Sequence, residues 1–376
     1  MVQRILYLVS EDWFFVSHRL PMARAAKTAG YEVHVAARVS DCAGKIESEG
    51  FILHPIEWRR GTLNPFHLIA AVAETRRLYR RVKPDLAHHV AVLPIVIGSL
   101  AALRLPLRVL NAFTGLGFTF ASKTARAAFL RAVATTFLGW LLRRPQATVL
   151  VQNPDDRAVI AALGVPPEQI AMVAGSGVDI DVFTPLPEPS SVVTVAFVSR
   201  LLAHKGVRTL VAAHELLNER GRAIRLLLAG APDPLNPTSI PEALLARWRG
   251  IANLSVLGHV DDIRSVWRQA HIAALPSRGG EGIPMSLLEA AACGRALVAS
   301  DVAGCREIVR PGVTGLLVPA DDPAALADAI ATLADDPGMR SRFGAAARQL
   351  VCDEFSSERV QREITALYRR LLGDGG

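Results

Sequence analysis

Residues 278–290 form the segment whose residue types could do chemistry, because they combine a run of glycines with two carboxylates. Glu281 lies in a glycine-rich loop, and Glu289 lies inside the helix predicted to follow it. Pro284 suits the first position of that helix, since its fixed φ fits and its missing N–H would have no partner there. The amides of Met285 and Ser286 would then lie at the positive end of the helix and could bind an anion.

A phosphate site between two carboxylates suits a nucleotide-sugar, with one carboxylate for ribose hydroxyls and one for sugar hydroxyls. An ordinary strand-to-helix turn with scattered acids would have the same composition. Arg200 and Lys205 add a second signal, because they follow the apolar stretch 193–198 at a position where open α/β sheets bind ligands. Such cations alone could simply be solvated. Together with residues 278–290 they predict a clamp for a diphosphate.

These motifs resemble glycosyltransferase family 4. The segments that carry the resemblance are Ser199–Gly206, Leu275–Ser277, Glu281–Gly294 and Val298–Gly304. Shorter motifs resemble, within the family, enzymes that extend undecaprenyl-diphosphate-linked glycans, such as bacterial N-acetylgalactosaminyltransferases. Those motifs are Leu63–Phe66, Gly115–Gly117, His204–Val207 and Gly304–Glu307.

The resemblance implies a GT-B fold, in which two Rossmann-like domains with parallel sheets face a cleft and a C-terminal helix crosses back to the first domain. It also implies a retaining transfer from a nucleoside-diphosphate-sugar, which is a substrate, so no cofactor is expected. We expect no metal requirement either, because Arg200 and Lys205 would take the place of a divalent cation. Arg200 and Lys205 would neutralise the leaving diphosphate, Glu281 would orient the donor sugar and Glu289 would bind the ribose. The other donor-binding residues implied are Gly258, His259 and Val260 around the nucleobase, and Gly282, Ile283, Pro284, Met285 and Ser286 around the phosphates.

In such a fold the loop after the first strand faces the cleft, so we expect the acceptor there. The candidate acceptor-binding residues are Glu11, Asp12, Trp13, Phe14, Gly115 and Gly117. Many relatives have a glycine-rich stretch in this loop, which this chain lacks, and its aromatic residues could equally be ordinary packing.

Two histidines, His88 and His89, end a predicted strand. Members of the family often have a histidine near the sugar. Neighbouring residues of a strand face opposite sides, so at most one of the two can face the cleft. We assign a catalytic role to His89, with a core histidine as the alternative.

Alternating apolar strands and amphipathic helices, typical of parallel α/β sheets, position these residues. In the first half of the chain we predict a strand at 4–10, followed by a polar loop and a helix at 18–30, and further strands at 32–37, 85–90, 107–111 and 147–152. In the second half we predict strands at 193–199, 224–229, 254–258, 272–275, 296–300 and 315–318. Three prolines make residues 184–191 a stiff linker. The predicted domains are 1–184 for the acceptor, 192–355 for the nucleotide-sugar, and a helix at 356–376 that returns to the first domain.

Charge is distributed unevenly along the chain. The net charge is +7, and residues 1–184 hold the whole excess, with 21 Lys and Arg against 14 Asp and Glu. Residues 122–144 interleave basic and apolar side chains, which predicts an amphipathic helix at a membrane interface, although an apolar stripe can also be core. We therefore expect an anionic membrane surface as a partner, and no nucleic acid.

The remaining composition favours the cytoplasmic side of a membrane. No apolar run reaches the roughly 18 residues of a spanning helix, and we expect no signal peptide, because the first residues are predicted to enter a strand directly. The four cysteines lack metal-site spacing and are interpreted as reduced thiols; they are Cys42, Cys293, Cys305 and Cys352. We expect a cytoplasmic protein associated peripherally with the inner membrane.

The sequence thus predicts a retaining glycosyltransferase that moves a hexose or N-acetylhexosamine from a nucleoside-diphosphate-sugar, UDP-linked by preference, to a polyprenyl-diphosphate-linked glycan. Three alternatives remain open: a transferase with a soluble acceptor, a sugar-nucleotide epimerase of similar fold, and a nucleotide-binding interaction module.

Overall fold

The computed structural model describes residues 2–58, 65–116 and 135–373. The chain folds into two compact units, one made of Met1–Ser176 and Glu358–Gly376 and the other of Gly177–Ser357. Each unit is built on one parallel sheet, with helices connecting successive strands.

The first unit has a seven-stranded sheet in the order β3-β2-β1-β4-β5-β6-β7. Its strands are β1 (Arg4–Glu11), β2 (Glu32–Arg38), β3 (Ile52–Pro55), β4 (Leu86–Val90), β5 (Arg108–Ala112), β6 (Ala147–Val151) and β7 (Ile170–Met172). The helices are Asp12–His18, Leu20–Thr28, Ala43–Ser48, Pro65–Val82, Val92–Ala101, Pro154–Ala162 and Ser357–Leu372. Residues 135–142 are also helical.

The strand β1 is apolar on both faces, as expected for a parallel strand that is covered on both sides. Ile5, Tyr7 and Val9 belong to one core cluster, and Leu6 and Leu8 belong to another. The alternation of β1 therefore places the sheet between two cores.

The C-terminal helix Ser357–Leu372 returns to this first unit. Its buried residues Val360, Ile364 and Leu367 lie on one face and belong to the core cluster that includes Tyr7. The hydroxyl of Tyr368 is 2.7 Å from the hydroxyl of Tyr7 and 2.8 Å from His88 Nδ1. The helix is thus attached by both packing and a buried polar network.

Two parts of the first unit differ from the prediction. The loop expected after β1 is the helix Asp12–His18, and the helix expected at 18–30 is Leu20–Thr28. An acidic residue in its first turn and the burial of Phe15 favour the helix Asp12–His18. Its polar residues were the reason that a loop was expected there. The short edge strands β3 and β7 were not predicted, since strands of only four and three residues are too short to show a recognisable pattern in the sequence.

The second unit has a six-stranded sheet in the order β10-β9-β8-β11-β12-β13. Its strands are β8 (Thr194–Val198), β9 (Arg225–Ala229), β10 (Leu254–Gly258), β11 (Ile272–Leu275), β12 (Ala296–Ser300) and β13 (Gly315–Val318). The helices are Val207–Glu219, Glu242–Trp248, Arg264–Trp267, Met285–Ala292, Cys305–Ile308, Pro323–Asp335 and Pro337–Glu354. The strands predicted for this half of the chain are confirmed, with small changes at two of them.

The proline-rich segment 184–191 is part of the second unit. The Leu186 amide donates to the Cys293 carbonyl at 3.1 Å, and Arg295 Nη2 donates to the Pro187 carbonyl at 3.0 Å. The chain therefore passes from the first unit to the second at Ser176–Gly177, before the prolines. No helix within the described ranges is long and apolar enough to cross a membrane.

Candidate active site

The loops at the carboxyl ends of the second sheet carry the predicted donor-binding residues and are packed closely together. Gly206 has φ +76°, and a Cβ on it would lie 1.7 Å from the Pro276 carbonyl oxygen. Gly304 has φ +78°, and a Cβ there would lie 2.0 Å from the Gly282 carbonyl oxygen. Since only glycine fits these positions, the loops after β8 and β12 both approach the segment that follows β11.

Lys205 and Glu281 form an ion pair that joins the loop after β8 to the loop after β11. Lys205 Nζ lies 2.8 Å from Oε1 and 2.7 Å from Oε2 of Glu281. The Glu281 side chain is only 5% exposed and that of Lys205 is 19% exposed. Burial alone would raise the pKa of Glu281, but the charge and hydrogen bonds of Lys205 outweigh it and lower the pKa. The Glu281 carboxylate is therefore ionised at neutral pH.

Glu289 lies in the next helix, and its carboxyl group has a different environment. Burial raises its pKa to about 8, and the Trp267 indole offsets only part of this effect. Glu281 and Glu289 thus differ in protonation near neutral pH, because Lys205 lowers the pKa of Glu281 whereas burial is the dominant influence on Glu289.

Arg200 is paired with a carboxylate that sequence reasoning missed. Its Nη1 lies 2.7 Å from Oδ2 of Asp233, in the loop after β9. The Arg200 side chain is 40% exposed, whereas that of Asp233 is 12% exposed. The signal available in the sequence was the position of Asp233 a few residues beyond the end of a predicted strand.

The helix behind the glycine-rich loop begins at Met285, and Pro284 is its N-cap with φ −73° and ψ 115°. The prediction that Pro284 is the first helical residue was therefore wrong by one position. The amides of Leu287 and Leu288 both donate to the Pro284 carbonyl, at 3.1 and 3.2 Å. The amides of Met285 and Ser286 precede them and belong to the first turn, where amides have no acceptor within the helix.

The residues predicted around the nucleobase follow β10. Gly258 ends this strand with φ +70°, and its carbonyl accepts from the Gly230 amide at 2.7 Å. Val260 comes two residues later. His259 is largely exposed, and its Nε2 lies 3.4 Å from the exposed carboxylate of Asp261.

Two of the predicted acceptor residues, Glu11 and Asp12, are buried in the first unit. Oε2 of Glu11 accepts from Arg38 Nη2 at 2.8 Å. Oδ2 of Asp12 accepts from the amides of Ser40 and Cys42, at 2.8 and 2.9 Å. Burial would raise the pKa of Asp12, but these hydrogen bonds lower it. Both carboxylates fix the chain at the end of β1, which corrects the expectation that they are available to an acceptor.

The remaining candidates in the first unit have accessible surface or lie outside the described residues. Trp13 and Phe14 are half-buried, and the Phe14 ring stacks on His18 at a centroid distance of 4.4 Å. Gly115 is half-buried with φ +121°. Gly117 lies outside the described residues.

Both predicted histidines are fully buried in β4. His89 Nε2 is 2.7 Å from the Tyr79 hydroxyl, and its Nδ1 is 2.9 Å from Asn111 Oδ1. Burial lowers the pKa of His89 to about 4. Because both ring nitrogens are used within the core, the structure corrects the catalytic assignment of His89 in favour of the core alternative.

Two families match the chain, one in each half. The family described as "Glycosyl transferase 4-like" matches residues 4–153, and the family described as "Glycosyl transferases group 1" matches residues 192–336.

Proteins of known function cover nearly the whole chain. The phosphatidyl-myo-inositol mannosyltransferase of Mycobacterium tuberculosis is 30% identical over 380 residues, which is 96% of this chain and 93% of that protein. The N,N'-diacetylbacillosaminyl-diphospho-undecaprenol alpha-1,3-N-acetylgalactosaminyltransferase of Campylobacter jejuni is 24% identical over 369 residues, 94% of this chain and 95% of that protein.

A solved structure agrees with the fold. The crystal structure of Anabaena HepE in complex with UDP and glucose superposes with a TM-score of 0.76 at 17% identity, over 97% of this chain and 99% of that one. Two parallel Rossmann-like sheets, two family matches and a 30% identical relative of full length agree. The chain belongs to glycosyltransferase family 4 and has the GT-B fold.

Proposed function

We propose that this glycosyltransferase uses a UDP-sugar and transfers its hexose or N-acetylhexosamine, with retention of configuration, to a polyprenyl-diphosphate-linked glycan. The observation that carries the donor assignment is the half-buried Lys205–Glu281 pair beside the first turn of the helix Met285–Ala292. Cation, carboxylate and helix amides at one sheet edge suit a sugar joined to a diphosphate. The UDP complex of the structural relative supports the choice of nucleotide.

The leaving group is a nucleoside diphosphate, and its charge grows as the bond to the sugar breaks. Lys205, Arg200 and the amides of Met285 and Ser286 would stabilise that charge, and such stabilisation is usually the largest contribution to catalysis. The bond from the sugar C1 to the diphosphate oxygen breaks, and a bond to the acceptor oxygen forms on the same face. The acceptor proton passes to the leaving phosphate, so the step balances without an added base.

The two glutamates have separate roles in this proposal. Glu281, ionised and held by Lys205, would accept hydrogen bonds from hydroxyls of the donor sugar. Glu289, protonated near neutral pH, would contact the ribose. Gly258, His259 and Val260 would hold the base by their backbone. Since Lys205 and Arg200 supply the charge, we propose that no divalent metal is required.

The acceptor is proposed to be lipid-linked, as the printed name of the Campylobacter relative states for that enzyme. We assign its binding to the first unit, around Trp13, Phe14, Gly115 and Gly117. The alternative acceptor is a soluble molecule, and the alternative reaction is epimerisation of the donor.

The first unit is also proposed to dock on the cytoplasmic face of an anionic membrane. Phe137 and Trp140 are 41% and 47% exposed, and their rings stack at a centroid distance of 6.0 Å. Arg144 lies 6.0 Å from the Trp140 ring, so a cation accompanies the exposed aromatic pair. The rest of the predicted basic helix, including Lys123, Arg126 and Arg131, lies outside the described residues.

One experiment tests the reaction. The purified protein is incubated with UDP-, GDP- and ADP-sugars and with polyprenyl-diphosphate glycans or soluble sugars, and nucleotide release, product mass and anomeric configuration are measured. A retained linkage on the lipid-linked acceptor with a UDP-sugar is expected. An inverted linkage, transfer to soluble sugars alone, or epimerised donor would each refute the corresponding part.

A second experiment tests whether the protein binds to a membrane. Liposome co-sedimentation should show binding to anionic lipids that weakens at high salt, with a salt-resistant part from Phe137 and Trp140. Negligible binding to anionic and neutral lipids alike would refute docking. The variant Trp140→Ala should lose the salt-resistant part, whereas Trp248→Phe, a substitution at a buried site in the second unit, should not.

A further inference from the structure

The segment that follows β9, residues 230–240, is bonded along its length to the loop that follows β8. The Leu201 amide donates to the Ala231 carbonyl at 3.0 Å, and the Ala203 amide donates to the Thr238 carbonyl at 2.7 Å. The Ile240 amide in turn donates to the Leu201 carbonyl at 2.9 Å. The conformation of the loop that carries Arg200 and Lys205 is therefore set by a neighbouring segment that carries neither.

Asp233 is the charged residue of this segment, and its own position is fixed. Its amide donates to Ser239 Oγ at 3.0 Å, and its Oδ1 accepts from the Leu235 amide at 3.2 Å. The other oxygen, Oδ2, accepts from Arg200 Nη1 at 2.7 Å. A carboxylate held at both its backbone and one oxygen is a rigid acceptor for the guanidinium.

Burial distinguishes this pair from the exposed ion pairs of the second unit. In the Arg220–Asp328 pair the two side chains are 44% and 67% exposed, and exposed ion pairs contribute little to the stability of the fold. Asp233 is only 12% exposed, so solvent screens its charge less. The partner, Arg200, remains 40% exposed and can be reached by a ligand.

We infer that Asp233 is a positioning residue for the transfer reaction, which holds the Arg200 guanidinium in the direction that a donor diphosphate requires. A guanidinium presents its five N–H donors in a rigid fork, so fixing one Nη fixes the direction of the others. The inference rests on the proposed role of Arg200 toward the diphosphate, and it adds a residue and a loop contact to that role.

A double-mutant cycle tests whether Asp233 acts through Arg200. Arg200→Ala, Asp233→Ala and the double variant are compared for kcat, KM and the Kd of UDP. A misplacement of about 1 Å can cost roughly 100-fold in rate, so we expect Asp233→Ala to lower kcat/KM by about tenfold to 100-fold. In the Arg200→Ala background the same substitution should cost almost nothing, because the group that it positions is gone.

A double-mutant cycle without coupling between Asp233 and Arg200 would overturn the inference. If Asp233→Ala costs the same factor with and without Arg200, Asp233 acts by another route, such as the fold of residues 230–240, and the inference is overturned. Asp233→Asn, which keeps an acceptor oxygen, should retain more activity than Asp233→Ala, and it replaces that variant in the cycle if the latter does not fold. Asp328→Ala, which removes an exposed Arg–Asp pair of the same unit, is the matched control and should leave kcat and KM unchanged.

The two proposals can fail separately. Coupling measured on UDP binding, without transfer to any acceptor, would refute the proposed reaction and keep the inference that Asp233 directs Arg200 toward a diphosphate. Normal transfer with an additive cycle would refute the inference and keep the reaction. A wild type that binds no nucleoside diphosphate would overturn both.

Discussion

From the Lys205–Glu281 ion pair we predict how the free energy of unfolding depends on pH. In the variant Lys205→Met the aliphatic part of the side chain is kept and the charge is lost. Glu281 then becomes a buried carboxyl group from which the charge of Lys205 has been removed. We expect its pKa to rise from below the ordinary value toward that of Glu289, which burial raises to about 8.

The size of the effect follows from proton linkage. Between about pH 6.5 and pH 8 the native variant would hold a proton on Glu281 that the unfolded chain releases, so its free energy of unfolding falls by about 1.4 kcal/mol per pH unit. In the wild type the pKa of Glu281 is lowered, so the group is ionised in both states and contributes no slope. The difference in stability between wild type and variant should therefore widen by about 2 kcal/mol over this range.

Neighbouring groups do not obscure this difference. Glu289 titrates in the same range in both proteins, so its contribution cancels. Burial is the largest cause of the low pKa of His204, about 4, and burial remains in the variant. His204 therefore stays neutral in both proteins over the range compared.

Urea unfolding at several pH values measures the difference directly. A constant difference between wild type and Lys205→Met would refute the reasoning, because it would mean that Lys205 does not control the ionisation of Glu281. The control is the double variant Lys205→Met with Glu281→Gln, in which no carboxyl group is left to titrate and the pH dependence of the wild type should return. That double variant should remain inactive, since the cation and carboxylate proposed to act on the donor are both absent.

Three other outcomes are expected. Arg200→Ala should lower kcat strongly and not merely raise KM, because the charge of the leaving diphosphate grows in the transition state; an unchanged kcat would contradict its assignment. The wild type should lose stability as pH rises toward about 8, because the raised pKa of Glu289 makes its native state hold a proton that the unfolded chain releases. Glu289→Gln removes this loss and should gain stability relative to wild type over that range. The control Glu242→Gln, which changes an exposed pair with Arg249, should show no such gain. Transfer activity should survive excess EDTA, and a complete loss restored by Mg²⁺ or Mn²⁺ would contradict a metal-independent reaction.

The second sheet could be predicted from sequence because its strands have strong signals. Each is a short apolar run, and the runs are separated by helices, glycines or prolines. The same reasoning failed for Asp12–His18, where the polar residues of a seven-residue segment indicated a loop and concealed a helix anchored by the buried Phe15. The prediction also missed the edge strand Ile52–Pro55, because it is partly exposed and too short to show an alternation of apolar and polar residues.

The burial of His88 and His89 follows from the sheet itself. The strand Leu86–Val90 lies between β1 and β5, and all of its residues are buried. A central parallel strand is covered on both faces, so a histidine on either face is more readily a core residue than an accessible one. The position of Leu86–Val90 in the strand order, rather than the histidine pair, was the decisive information, and it is not visible in the local sequence.

The partners of the two cations also could not be predicted from sequence, and they change how the site is understood. Sequence reasoning assigned Lys205 and Arg200 to the phosphates and Glu281 to the sugar, as independent groups. In the structure each cation is paired with a carboxylate, Lys205 with Glu281 and Arg200 with Asp233. A half-buried charge is costly unless it is paired and hydrogen-bonded, so these carboxylates allow the cations to be held in place by the fold. Cations that are already oriented need little reorganisation when the leaving diphosphate gains charge, which is the condition under which electrostatic stabilisation is most effective. Each carboxylate therefore acts together with the cation that it binds. Removing the carboxylate of a pair should impair the reaction by misplacing the cation, and removing the cation should impair it by misplacing the carboxylate.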